Sequence, residues 1–209
     1  MKNIIQTAEQ LLGRKLTAND GYTSEEIKQA ENMLGLTMPE SLKLFYSLVG
    51  KVDILTSSFQ RFSPLDELQS DDDKIIFLAE NQEVCLWATT IYDNTIWVKY
   101  SDDEGWITEP IGLLDFIQLT MYYNCAQGGF EFSGLAENEE VYPVILEYVQ
   151  KKWDKVVQYD DLIIYAYQDN LIWYFYKDEN TPIDNGIFLS CRTEDEFDKF
   201  SKLFDFTEL

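Results

Sequence analysis

Residues 23–50 read TSEEIKQAENMLGLTMPESLKLFYSLVG, an order that leaves room for little besides two short helices joined by a tight link. Thr23 and Glu26 have the spacing of a capping box, in which each side chain satisfies a backbone N–H at the start of a helix. Ile27, Ala30 and Leu34 then fall at i, i+3 and i+7, an apolar stripe on one helix face. Gly35 is placed to take the left-handed conformation that ends such a helix. Leu36 and Met38 lead into Pro39, which suits the first turn of a following helix because its missing N–H is not needed there. Leu42, Phe45 and Val49 give that helix a buried face, and Gly50 stops it.

Upstream, Ile4, Ile5, Ala8, Leu11 and Leu12 form a helical stripe ending at Gly13. Downstream the period shortens. Residues 74–80, 83–90 and 95–100 are short runs rich in β-branched and aromatic side chains, which predicts consecutive antiparallel strands with turns at Asn81-Gln82 and around Tyr92 to Asn94. A turn over residues 102–105 precedes a short strand at Trp106-Ile107. Pro110 is then expected to open a helix with Leu113, Leu114, Ile117, Met121 and Cys125 on one face, closed by Gly128-Gly129. Another helix is expected from Asn138 to about Lys152, with Pro143 tolerated near its start. Strands return at 155–159, 162–168 and 171–177, the last two joined as a hairpin through Asp169-Asn170, and again at 187–191. Thr193 and Glu196 suggest a second capping box, opening a final helix with Phe197, Phe200 and Phe204 inward.

Thirteen Phe, thirteen Tyr and five Trp in 209 residues supply ample core, so the chain folds despite its charge. The pattern predicts one α+β domain over residues 1–209, looser from about 130, with helices packed on one face of a mostly antiparallel sheet. Residues 126–138 are the one plausible internal boundary.

The order of residues around the first two helices also resembles the opening signature of the SUKH superfamily, which includes bacterial immunity proteins and fungal cell-wall-assembly regulators. The matching positions are Glu26, Ile27, Glu31, Leu34, Gly35, Leu36, Pro39, Leu42, Phe45 and Gly50. Where that superfamily usually ends its second helix in Asn-Gly, this chain has Val49-Gly50. The resemblance covers best residues 25–127, and it implies a SUKH-like α+β fold. The role it most often implies is neutralising a toxin inside the producing bacterial cell.

A net charge of −22 disfavours direct contact with nucleic acid phosphates or anionic lipid, and favours a basic partner. The same acidity also serves solubility. With no histidine in the chain, Ser-His-Asp and Cys-His machinery and histidine metal sites are excluded. Neither a phosphate-binding GxxxxGK[ST] loop nor a GxGxxG run is present. Carboxylate pairs among 38 acidic residues, with Trp87, Trp97, Trp106 and Trp173 as sugar platforms, would allow glycoside hydrolysis. Such pairs arise by chance in so acidic a chain, and tryptophan on a half-buried strand is ordinary core. No catalytic residue, metal ligand or cofactor is therefore assigned.

Two acidic clusters remain as candidate contacts for a basic partner: Asp71, Asp72 and Asp73 before a strand, and Asp102, Asp103 and Glu104 in a tight turn. Neither follows the alternating ligand pattern of a calcium-binding EF-hand loop. Asp160-Asp161, Asp178-Glu179 and residues 137–140 extend the acidic theme. Tyr165, Tyr167, Trp173, Phe175 and Tyr176 serve either as core or as outward anchors for a partner. Cys85, Cys125 and Cys191 are too scattered for a disulfide framework and are expected to be buried free thiols. No run is apolar and long enough for a secretory signal or a membrane span, which predicts a soluble cytoplasmic protein. The expected function is stoichiometric occlusion of a toxin, with a nuclease the class that the charge fits. The alternative is a scaffold or regulatory protein without a toxin partner. Oligomeric state is not legible.

Overall fold

A computed structural model of the chain describes residues 3–103, 105–178, 181–183 and 186–209. The protein is α+β, as the sequence pattern predicts. Its strands divide between two antiparallel sheets where the pattern suggested one. The chain groups into two compact units, residues 3–9 with 15–124 and residues 10–14 with 125–209.

Helix α1 (Ile4–Leu12), whose residues 4–9 belong to the first unit, ends at Gly13, with φ 60°. Helix α2 (Ser24–Leu34) starts with the expected capping box. The Thr23 hydroxyl accepts from the Glu26 N–H at 3.3 Å, and the Glu26 carboxylate accepts from the Thr23 N–H at 2.7 Å. Gly35 takes the left-handed conformation at φ 68°. The link to α3 (Glu40–Val49) is held by Glu31, whose carboxylate accepts from the Met38 N–H at 2.8 Å. Pro39 is the residue preceding α3, one place before the first turn in which it was expected. Leu42, Phe45 and Val49 are fully buried, joined by Tyr46, whose hydroxyl donates to the Ser63 carbonyl at 2.7 Å. A single turn, α4 (Asp53–Thr56), leads into the strands.

These are β1 (Arg61–Phe62), β2 (Gln69–Asp71), β3 (Lys74–Ala79), β4 (Cys85–Thr90), β5 (Thr95–Tyr100) and β6 (Ile107–Gly112). They pair in the order β1-β3-β4-β5-β6, with β2 also on β3. Ile75, Phe77, Trp87, Thr89, Ile96 and Val98 share one face by register. That face meets α5 (Leu113–Asn124), where the Phe116 ring lies 5.7 Å from Trp87 and 6.3 Å from Phe77. Pro110 does not open this helix, as had been expected; it sits within β6. Strand β6 is a sheet edge, where a missing N–H removes no ladder bond the sheet needs.

The second unit begins with a π-helical turn at Cys125–Gly129. Then follow β7 (Phe132–Ala136), α6 (Tyr142–Lys152), β8 (Asp154–Tyr159), β9 (Leu162–Tyr167), β10 (Asn170–Asp178), β11 (Thr181–Pro182), β12 (Ile187–Cys191), α7 (Glu194–Phe204) and β13 (Thr207–Glu208). The sheet order is β13-β7-β12-β10-β9-β8, with β11 on β10. Ile145 and Val149 of α6 and Phe197 and Phe200 of α7 share a buried cluster with Ile163, Tyr165, Ile172, Tyr174 and Leu189 of the sheet. Trp173 points to the other face, stacked on Phe188 at 4.1 Å, and its indole N–H donates to the Ser190 hydroxyl at 3.2 Å. The β9–β10 turn falls at Gln168-Asp169, one residue earlier than expected, with Gln168 at φ 53°. At Thr193 only half of the second capping box forms. The hydroxyl accepts from the Glu196 N–H at 3.4 Å, while the Glu196 carboxylate turns to Lys199 at 3.0 Å.

Cys85, Cys125 and Cys191 are free and buried. Burial raises all three thiols, Cys85 to about 11 and Cys191 to about 12. Among the described residues no helix is long and apolar enough to cross a membrane.

Candidate partner-binding surface

The face of the first sheet turned away from α5 carries an unusual mixture. Register places Lys74, Ile76, Leu86, Ala88, Trp97, Lys99 and Thr108 on it, along with Asp71, the partner of Lys74. Trp106 lies one residue before Ile107, the partner of Val98, and so falls opposite Lys99 on the same face. The two lysines cover indole rings. Lys74 Nζ is 4.7 Å from the Trp97 ring centroid, and Lys99 Nζ is 5.9 Å from that of Trp106. Such contacts cover the aromatic faces, and both indoles are half-buried.

Strand pairing sends the two acidic clusters to opposite ends of the sheet. The Asp72-Asp73 turn adjoins the β4–β5 turn, because Lys74 pairs with Thr90. Asp102 and Asp103 follow the far end of β5, where Tyr100 pairs with Cys85. Even so, the Trp106 indole N–H donates to Asp71 Oδ2 at 2.8 Å, 35 residues away.

The aspartates therefore differ in role. Asp71 accepts from Trp106 across the sheet, and Asp73, in the turn, pairs with the neighbouring Lys74 at 3.1 Å, so both already have partners in the fold. Asp72 is exposed at φ 53°, a conformation that aspartate tolerates better than most residues. Asp102 and Asp103 are exposed. Glu104 lies outside the described residues. Beside the Asp72 turn, Tyr92 is 79% exposed at the tip of the β4–β5 turn. Asp93 next to it accepts from the Thr90 hydroxyl and from the Thr95 N–H, and these bonds, the first above all, hold its carboxyl below the usual range. Tyr92 was not among the residues singled out from sequence. Its signal is a bulky aromatic in a turn of otherwise polar residues.

The aromatic residues of the second unit are mostly core. Tyr165 and Trp173 are buried, Phe175 and Tyr176 half-buried, and Tyr167 exposed. Among the described residues no three cysteine or carboxylate side chains converge to hold a metal ion.

A second acidic feature lies at the start of α2. The Glu26 carboxylate accepts from Lys51 Nζ at 2.8 Å and from both the N–H and hydroxyl of Thr23 at 2.7 Å. The lysine bond first, then the Thr23 N–H, draws Glu26 down to about 2 from an ordinary 4.5. Because the folded value is the lower one, its stabilisation is complete above the ordinary carboxylate range and is lost as pH falls toward about 2. A carboxyl NMR titration is expected to place the Glu26 midpoint near 2, and Lys51→Met is expected to raise it. A midpoint near 4.5 in the unaltered chain would show that the carboxylate is not held this way.

No family model matches the chain, and neither the curated proteins nor the solved structures contain a match to it.

Proposed function

We propose that this chain is an immunity protein: a cytoplasmic, non-enzymatic binding module that neutralises a cognate toxin by covering it with an acidic, aromatic surface. The observation that carries this reading is the first sheet's outward face, where Trp97 and Trp106 lie between exposed acidic turns on a chain of net charge −22. Tyrosine and tryptophan give rigid contact area of the type concentrated at binding hot spots, and the carboxylates speed capture of a basic partner. A nuclease fits best, because it presents a basic groove to phosphate. The SUKH-like order of residues in α2 and α3 supports the same role. The chain contains no histidine, the commonest general base near neutral pH.

The test is a rescue assay. The C-terminal region of the reading frame upstream is expressed in bacteria with and without this chain. Death alone, survival together and a one-to-one complex are the expected results. Toxicity that this chain neither relieves nor binds would count against the reading, and weak capture of several partners would favour a scaffold.

Within such a complex, Asp72→Asn is the cleanest probe of the first acidic cluster, since it removes the charge, keeps a side chain that tolerates φ 53°, and leaves Asp71 and Asp73 with their partners in the fold. The double change Asp102→Lys with Asp103→Lys probes the second. Each is expected to slow association by about threefold to tenfold at low salt, the difference shrinking as salt rises. Unchanged rates for both would remove these turns from the interface.

A further inference from the structure

A groove of about 250 Å³ runs beside α2, lined by Tyr22, Glu26, Gln29, Ala30, Met33, Leu65 and Asp66. It is smaller than the roughly 300–1,000 Å³ of small-molecule pockets, a size suited to one side chain. Its floor is apolar, with Ala30 and Leu65 buried. Met33 stands at its rim 69% exposed, unusual for so large an apolar side chain and well suited to adapting around an incoming group. Two carboxylates flank it. Glu26 is already engaged by Lys51, whereas Asp66 is exposed and has no ion pair among the described residues.

The chain itself shows what this chemistry accepts. Lys51 Nζ sits 4.6 Å from the Tyr22 ring centroid and 2.8 Å from Glu26, a cation held between an aromatic face and a carboxylate. Asp66 offers a second carboxylate on the same groove, without a lysine of its own. Burial above all raises the Tyr22 phenol; the Asp66 and Glu26 charges add to this, while a hydrogen bond at the Leu65 backbone and the Lys51 charge oppose it.

We propose that this groove receives a basic side chain, arginine above all, from a protein partner, its stem over Met33, Ala30 and Leu65 and its charge against Asp66. A planar guanidinium suits the site because it is weakly hydrated, stacks on aromatic faces and pairs with a carboxylate through two N–H groups. The inference rests on the binding-protein reading for the partner's identity alone. It places a second point of contact on α2, apart from the acidic turns of the sheet.

The experiment needs no toxin. The ¹⁵N-labelled full chain is titrated with N-acetyl-arginine amide and, separately, with N-acetyl-citrulline amide, its neutral isostere. Arginine is expected to shift the amides of Gln29, Ala30, Met33 and Asp66 saturably, with a dissociation constant on the order of millimolar, as one side chain allows. Citrulline is expected to leave them in place. Asp66→Asn should weaken the arginine response at least about threefold while the rest of the spectrum is unchanged, as the loss of one exposed charge partner implies. Lys51→Met, which frees Glu26, should strengthen it. Shifts spread over the whole acidic surface, equal shifts with citrulline, or an undiminished response in Asp66→Asn would each overturn the proposal. A failed rescue assay with a positive titration would remove the toxin and keep the groove; the converse would keep the toxin and remove the groove.

Discussion

Asn124→Ala is expected to destabilise the first unit by about 2–4 kcal/mol, because it leaves one buried and two half-buried backbone groups without their partners. Asn124 is the last residue of α5 and is fully buried. Its amide donates to the carbonyls of Leu55 at 2.9 Å and Gln60 at 3.0 Å, and its carbonyl accepts from the Gln60 N–H at 2.7 Å. One side chain thus stands in for a strand along the segment that carries α4 into β1. Alanine supplies none of these bonds, and the Leu55 carbonyl is left buried without a partner. Gln60→Ala is the control: Asn124 reads only the Gln60 backbone, so that change should cost less than about 1 kcal/mol. Urea unfolding, paired with hydrogen exchange at the Gln60 amide, separates the two. Equal losses would show that the segment is held by something other than Asn124.

Phe200→Ala is expected to cost a similar amount, about 3–5 kcal/mol, by a different route. Phe200 is 1% exposed on α7, its ring edge-on to Trp153 at 5.2 Å, within the cluster that joins α6 and α7 to the second sheet. Truncation opens a cavity whose walls come from two helices and a sheet, none of which collapses easily. Phe200→Leu should recover most of the loss. Leu203, on the same helix but 55% exposed, should tolerate alanine within about 1 kcal/mol. Loss of near-ultraviolet dichroism from Trp153 at lower urea would report the Phe200 effect directly. A Phe200→Ala protein as stable as Leu203→Ala would contradict the packing described.

What could be read in advance divides by range of interaction. The Thr23–Glu26 capping box and the left-handed Gly35 were legible because each is settled within a few residues. The second box was half right, since Glu196 met Lys199 and Asn170 instead of completing it. Pro110 misled because an edge strand and a first helical turn tolerate proline for the same reason, an N–H that nothing requires. Strands β1, β2, β11 and β13 are only two or three residues long and exist through their neighbours, so no local period announces them. Strand β7 lay within the presumed boundary region, and its pairing with β12 and β13 depends on residues more than 50 positions away. At the candidate surface the acidic turns were visible as composition. Their roles were not: Asp71 is tied to Trp106 across 35 residues, and only three-dimensional register shows which carboxylates remain outward.

The three buried thiols have a practical consequence. Burial favours the protonated thiol at all three, with Cys125 and Cys191 fully covered and Cys85 6% exposed, so the native chain is expected to react slowly with a maleimide reagent. A single cysteine introduced at Tyr92 would then be the preferred attachment point for a dye, with no native position to remove first. The geometry of a complex with a basic partner becomes measurable by fluorescence transfer on an otherwise unaltered protein.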